Sequence, residues 1–170
     1  DTPAYASGVV YVASAAGLNG FPDSGFVWAF DVNAPAGSRL RWSVPIGEGF
    51  FGGVTVADGF VYAAGYSFSG TGDNSLLAKL RTSDGAVQWV VPCERTSSIP
   101  VVVGDRVYLS AGIQGFGSVP KVQCFRDDGA SLKRLHRLIV GSSRDCIAAI
   151  DVFCIWPTSC GLFGRIFGHI

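Results

Sequence analysis

The chain contains no methionine and only two histidines. Charge is scarce as well: 15% of residues are charged, and 13 Lys+Arg against 13 Asp+Glu leave a formal net charge of +0. With no field of one sign, nucleic acid and acidic membrane surfaces are poor partners. No stretch reaches the roughly 18 uninterrupted apolar residues of a membrane-spanning helix. The nearest, "IAAIDVFCIW" (147–156), is broken by Asp151 and stopped by Pro157. No secretory leader is visible, and a chain that opens on Asp1 reads as a fragment or a processed product. Long runs of Ala, Leu, Glu and Lys are missing too. What replaces them is 48% hydrophobic residues, 23 Gly and a scatter of Val-Tyr and Val-Val pairs. That mixture is too apolar for a disordered chain and favours short strands joined by tight turns. A length of 170 residues suits one domain with a sizeable core.

Three segments align without gaps: "TPAYASGVVYVAS" (2–14), "GVTVADGFVYAAG" (53–65) and "IPVVVGDRVYLSA" (99–111). Each reads as a strand, a two-residue turn and a second strand carrying Val-Tyr. The turns, Ser7-Gly8, Asp58-Gly59 and Gly104-Asp105, supply the positive φ of type I′ and II′ hairpins. Tyr11, Tyr62 and Tyr108 recur at spacings of 51 and 46 residues. A Gly/Ser-rich loop follows each hairpin (15–24, 66–75, 112–120), then a third strand (26–32, 76–82, 121–127). A turn with Gly37, Gly85 or Gly129 comes next. The fourth strand carries Trp42 in the first unit and Trp89 in the second.

Four short strands per period of this length is the signature of a β-propeller blade. A lone meander cannot bury both faces, and stacking blades radially does so. Trp suits the joint between blades, because it offers a large apolar area and an N–H for a backbone carbonyl. A β-sandwich of the same hairpins would not be expected to keep so regular a period. The expected fold is therefore all-β: about three four-stranded antiparallel blades, units 2–52, 53–98 and 99–132, followed by a non-repeat tail.

The order Val-Tyr, Ala-x-Asp, turn Gly, Trp resembles the PQQ-like (quinoprotein dehydrogenase-like) propeller repeats. The first unit has Val10-Tyr11, Ala29, Asp31, Gly37 and Trp42. The second keeps Val61-Tyr62, Gly85 and Trp89, with Lys79 and Arg81 in place of Ala and Asp. The third keeps Val107-Tyr108 and Gly129, has Arg126 near the Asp position, and shows Lys133 where Trp would fall. The resemblance covers residues 2 to about 132 and implies architecture more than activity, since many such repeats bind no quinone. It also implies an exported protein, periplasmic or extracellular.

From Lys133 onward the Val-Tyr pattern stops, and the tail 133–170 holds both His and three of the five Cys. It is net basic where the body is net acidic. Its expected nature is a frameshifted, poorly ordered or otherwise non-homologous end. A genuine closing segment over the last blade's edge is the alternative. Three blades do not close a ring of about 4 to 8, so exposed edges and low solubility are expected unless the tail or a partner covers them.

Candidate chemistry is thin. Gly112, Gly115 and Gly117 precede a strand, not the helix a phosphate loop opens. Asp73-Asn74 offers two oxygen ligands without the spacing of a calcium loop. The cysteines (Cys93, Cys124, Cys146, Cys154, Cys160) form no Cys-x-x-Cys. His136 and His169 have no acidic residue near them in sequence to make a triad, and no nucleophile elbow accompanies them. Trp28, Trp42 and Trp89 could stack on a planar cofactor, but core packing is the expected role. No catalytic residue and no metal site is expected.

The reading that follows is a non-catalytic scaffold or binding module, part of a larger exported protein, with a protein partner or missing blades as its contacts. Phe21, Tyr66, Phe68 and Phe116, in the variable loops, are the expected contact residues. Tyr11, Asp31, Trp42, Tyr62, Trp89 and Tyr108 are expected to be structural. The alternative is a fragment of a quinoprotein dehydrogenase, for which the resemblance implies pyrroloquinoline quinone and Ca²⁺. No cofactor is expected otherwise.

Overall fold

The computed structural model of the chain describes residues 2–16, 24–47, 49–50, 52–66, 75–111, 121–129 and 131–139. These belong to one compact unit, Asp1–Ile139. Among them there is no helix, and three four-stranded antiparallel meanders follow one another. The first blade is β1 (Ala4–Ala6), β2 (Val9–Ala16), β3 (Ser24–Asp31) and β4 (Leu40–Ile46). The second is β5 (Val54–Ala57), β6 (Phe60–Ala64), β7 (Ser75–Arg81) and β8 (Val87–Cys93). The third is β9 (Val101–Val103), β10 (Arg106–Ala111), β11 (Lys121–Asp127) and β12 (Leu132–Ile139).

The hairpins form where the two-residue turns stand. Ser7 and Gly8 have φ of 51° and 79°, and Asp58 and Gly59 have 49° and 80°. Positive φ at both central residues is the type I′ pattern, whose twist matches that of the flanking strands. In the third hairpin Gly104 takes φ 56° and Asp105 stays negative, as in type II′. The chain then ties each turn to the end of the third strand. Val32 N–H donates to Gly8 O at 3.0 Å, Thr82 N–H to Gly59 O at 3.0 Å and Asp127 N–H to Asp105 O at 2.8 Å. Val32, Thr82 and Asp127 are thus equivalent positions.

Each sheet also carries an irregularity at one equivalent place. The register between third and fourth strands slips between Ala29 and Phe30, between Lys79 and Leu80, and between Cys124 and Phe125. Opposite the residue before the slip stand Trp42, Trp89 and His136. This corrects the sequence reading, which set Lys133 at the Trp position and began the non-repeat tail there. Residues 133–139 complete the third sheet, and the position of Trp is held by His136. The reason is that ladder bonds use the backbone. A strand reading "LKRLHRLI" pairs as well as one with a Trp, but it lacks the landmark that fixes its register in the sequence. Residues 140–170 lie outside the described residues.

Alternation along each strand sends one set of side chains to each face of a blade. Val9, Tyr11, Ala13, Val27, Ala29 and Trp42 of the first blade pack against Val54, Val61, Ala63, Ala78 and Leu80 of the second. The opposite face of the second blade, with Tyr62, Ala64, Leu77 and Trp89, packs against Val107, Leu109 and Phe125 of the third. The second blade is therefore apolar on both sides, and its third strand reads Leu-Leu-Ala-Lys-Leu with hardly an interruption. Near their starts the innermost strands approach: β1 lies against β5, and β5 against β9. Thr2 N–H donates to Gly52 O at 3.0 Å, and a Cβ on Gly53 would fall 2.5 Å from Thr2 O. Glycine is required at Gly53 because backbone occupies the space of a side chain.

The indole of Trp42 spans the first joint. It lies 5.9 Å from the Tyr11 ring and donates Nε1–H to Thr82 O of the second blade at 2.9 Å. It also covers Gly85, where a Cβ would meet the indole at 2.8 Å. Gly85 has φ 74°, so it is fixed twice, by conformation and by contact. Gly59 has φ 80° with open space around it. Gly59→Ala should therefore cost about 1 kcal/mol, from backbone alone. Gly85→Ala should cost about 2–4 kcal/mol, because the displaced indole adds an overpacking penalty. Urea denaturation followed by tryptophan fluorescence measures both; equal costs would mean that the indole does not bear on Gly85.

Candidate functional site

In each meander the starts of the first and third strands and the ends of the second and fourth share one end of the sheet. That end carries the loops between second and third strands and the connectors between blades. Phe21, Phe68 and Phe116, expected as contact residues, lie outside the described residues. Tyr66 is half-buried at this end, and its N–H donates to Gly49 O at 2.8 Å, joining the two connecting segments.

The connector from the second to the third blade is polar and buried. Glu94, Arg95 and Thr96 are 1%, 2% and 2% exposed. Lys121 Nζ sits 2.8 Å from Glu94 Oε1. The Glu94 N–H donates to Gln123 Oε1 at 3.1 Å, and Gln123 is fully buried. The Arg95 guanidinium lies 5.9 Å from the Tyr66 ring centroid. Thr96 Oγ1 and Ser98 Oγ both donate to Ser110 O. The corresponding connector from the first to the second blade instead buries Phe50. Nothing in the repeat period singles out Glu94, Arg95, Thr96, Lys121 or Gln123, and the sequence reading missed them. The available signal was the contrast between "CERTSS" and "IGEGFFGG" at equivalent places.

A second polar cluster fills the joint between the second and third blades. Lys79 Nζ lies 2.8 Å from Asp127 Oδ2, with the side chains 4% and 7% exposed. The Tyr62 hydroxyl donates to the same oxygen at 2.9 Å. Asp127 Oδ1 accepts from the Trp89 Nε1–H at 3.3 Å and from the Gly129 N–H at 3.0 Å. The ammonium also sits 3.9 Å above the Phe60 ring. Burial pushes the Asp127 pKa up, but it is outweighed by donation from Lys79, Gly129 and Tyr62 and by the Lys79 charge, so the carboxyl titrates below its usual range. Burial, then the bond to Asp127 and that residue's charge, push the Tyr62 phenol well above its ordinary value.

The remaining sequence-selected residues are spread through the frame. Tyr11 and Tyr62 pair with Trp42 and Trp89 at 5.9 and 6.0 Å. Tyr108, at the equivalent place in the third blade, is half-buried. Asp31 accepts from Arg41 Nη2 at 2.6 Å and from the Asn33 N–H at 2.9 Å at the surface. Those bonds to Arg41 and Asn33 outweigh burial and lower its pKa. Cys93 and Cys124 are buried. Trp28 departs from its expected core role. It is half-buried on the face of the first blade turned away from the second, between Phe26 (5.3 Å) and Phe30 (6.2 Å), with Nε1–H donating to Ser14 Oγ.

No protein-family profile and no curated protein matches the chain. Solved structures do. A europium-containing methanol dehydrogenase superposes with a TM-score of 0.61 at 17% identity, over 79% of this chain and 23% of its own. The quinohemoprotein alcohol dehydrogenase ADHIIG from Pseudomonas putida HK5 gives 0.62 at 20% identity, over 81% and 20%. The fold is that of a partial quinoprotein-type β-propeller. The resemblance read from Val-Tyr, turn Gly and Trp holds at the level of fold. This propeller segment spans about a fifth of the length of those two chains.

A quinone with bound calcium needs several oxygen ligands and a carboxylate base converging on one point. Among the described residues no three His, Cys, Asp or Glu gather in that way. Glu94 is engaged by Lys121, and Asp127 by Lys79, Tyr62, Trp89 and Gly129. The described residues do not fit such a metal centre.

Lys121→Met should cost about 3–5 kcal/mol, since it strands the buried Glu94 charge. Urea titration measures it, and a loss below about 1 kcal/mol would assign the pair a surface-like role. Acid should act through Asp127. Its folded pKa lies below the ordinary 3.8, so its contribution is complete above that value and is lost as pH falls through the folded one. The wild-type melting temperature should accordingly fall more steeply below about pH 4 than that of Asp127→Asn. Parallel curves in calorimetry would mean that this carboxylate is not linked to folding.

Proposed function

We propose that the chain works as a non-catalytic propeller scaffold, a three-blade segment of a larger exported protein, that binds further blades or a protein partner. The observation that carries this reading is the outer face of the first blade. Val10, Val12, Phe26, Trp28 and Phe30 occupy there the positions through which the second blade, with Val61, Ala63, Leu76, Ala78 and Leu80, receives the first. That face is only half-buried. A contiguous aromatic strip of this kind is a docking surface by its chemistry. The loop-bearing end, with Tyr66 and the undescribed loops around Phe21, Phe68 and Phe116, is the proposed contact region for ligands or partners. An extracytoplasmic location goes with this reading, and so does the lack, among the described residues, of any helix long and apolar enough to cross a membrane.

Trp28→Glu tests the docking face. Self-association in sedimentation velocity should fall at least several-fold while the melting temperature changes little, because Trp28 is not part of either blade joint. Unchanged association would remove the face from consideration.

The second reading is a fragment of a quinoprotein dehydrogenase dependent on pyrroloquinoline quinone and Ca²⁺. It is favoured by both structural neighbours, which are dehydrogenases. Pyrroloquinoline quinone and Ca²⁺ added to the longest expressible form of the protein, with alcohols and a redox dye, discriminate the two. Substrate-dependent dye reduction establishes the second reading; its absence, with no quinone retained on gel filtration, supports the scaffold.

A further inference from the structure

We infer that Lys79 and Asp127 are a charge key that makes the joint between the second and third blades accept only its own partner. The two joints are built from equivalent positions. In the first, Ala29 stands beside Trp42, and the receiving position across the joint is Thr82, which offers its backbone carbonyl to the indole. In the second, Lys79 stands beside Trp89, and the receiving position is Asp127, which offers its side chain to the indole. Both members of the pair differ from the first joint, and they differ in complementary ways. Lys79 Nζ and Asp127 Oδ2 are 2.8 Å apart and nearly buried.

The consequence is selectivity. Homologous blades that stack through one geometry can stack in the wrong order, within a chain or between chains, and repeat folds are prone to such exchange. If the third blade received the first, Asp127 would be buried facing Ala29 with no cation. If the second blade met a receiving position such as Thr82, Lys79 would be buried with no anion. An ion stranded in an apolar joint is strongly unfavourable, whereas in the correct pair Asp127 meets Lys79 and also accepts from Tyr62, Trp89 and Gly129, and the ammonium lies over the Phe60 ring. The key therefore acts against wrong partners more than it adds to the stability of the right one.

The experiment uses the full 170-residue chain. Lys79→Ala and Asp127→Thr copy the residues of the first joint, singly and together, and Lys79→Arg keeps the charge. Each single neutral variant should reduce the folding equilibrium constant by about 100-fold or more, and the double variant should regain at least tenfold of that loss. After refolding at high concentration, the double variant should give several-fold more blade-exchanged dimer than wild type, and Lys79→Arg no more than wild type. Size exclusion with native mass spectrometry reads the dimer, and the double variant serves even if the singles do not fold. Losses that simply add, or a double variant that refolds with the wild-type dimer fraction, would overturn the key.

Discussion

The structure depends on one contact made across sheets: an indole at the fourth-strand irregularity of one blade laid on the turn of the next. A four-stranded meander has two faces, and the short strands here cannot curl enough to cover one with the other. Burial has to come from a neighbour. Trp42 meets that need with area, at about 25 cal/mol per Å² removed from water, while its N–H finds Thr82 O. The hydrogen bond adds only about 1 kcal/mol net. Its larger effect is directional, since it sets which turn the ring lies over, and that in turn requires Gly85 to lack a side chain.

From that constraint the variation between copies becomes intelligible. The first joint is apolar and closes on a backbone carbonyl. The second keeps the Trp but admits a lysine beside it, and Asp127 arrives at the receiving position to match. Surface charges show the same local compensation. Asp31 pairs with Arg41 in the first blade; where Arg81 and Arg126 replace it, Asp84 and Asp105 supply the anion. Exposed pairs of this sort contribute little to stability. The buried ones decide which arrangements are permitted.

What the sequence revealed, and what it concealed, follows from the same physics. Two-residue turns leave a chemical signature, because positive φ at Ser7-Gly8 and Asp58-Gly59 restricts the residues allowed. Hairpins, blade number and the Trp positions of the first two units were legible for that reason. The fourth strand of the third unit was not, because a ladder of backbone bonds accepts Lys133, Arg134 and Arg137 without preference, and His136 took the position of the landmark. The buried pairs were hidden for a different reason. Lys79 was visible as a departure from the pattern, but nothing in the linear order links it to Asp127, forty-eight residues on and one blade away. Glu94 and Lys121 likewise meet only once the third blade has docked.

The polar connector gives the last step. Every blade boundary needs a segment that leaves an outer strand and returns to an inner one, and the cheapest way to bury it is with apolar or glycine-rich sequence, as around Phe50 and Gly52-Gly53. The boundary from Glu94 to Pro100 instead buries a carboxylate, a guanidinium and a hydroxyl, and recruits Lys121 and Gln123 to meet them. Such a network gives little net stability over an apolar one of the same shape. Its physical effect is definition, because a carboxylate with fixed donors has one acceptable geometry where a cluster of leucines has several. In this scaffold an indole joint recurs at both blade boundaries, and the copies differ in the buried charges that accompany it, Lys79 with Asp127 in the joint and Glu94 with Lys121 in the connector.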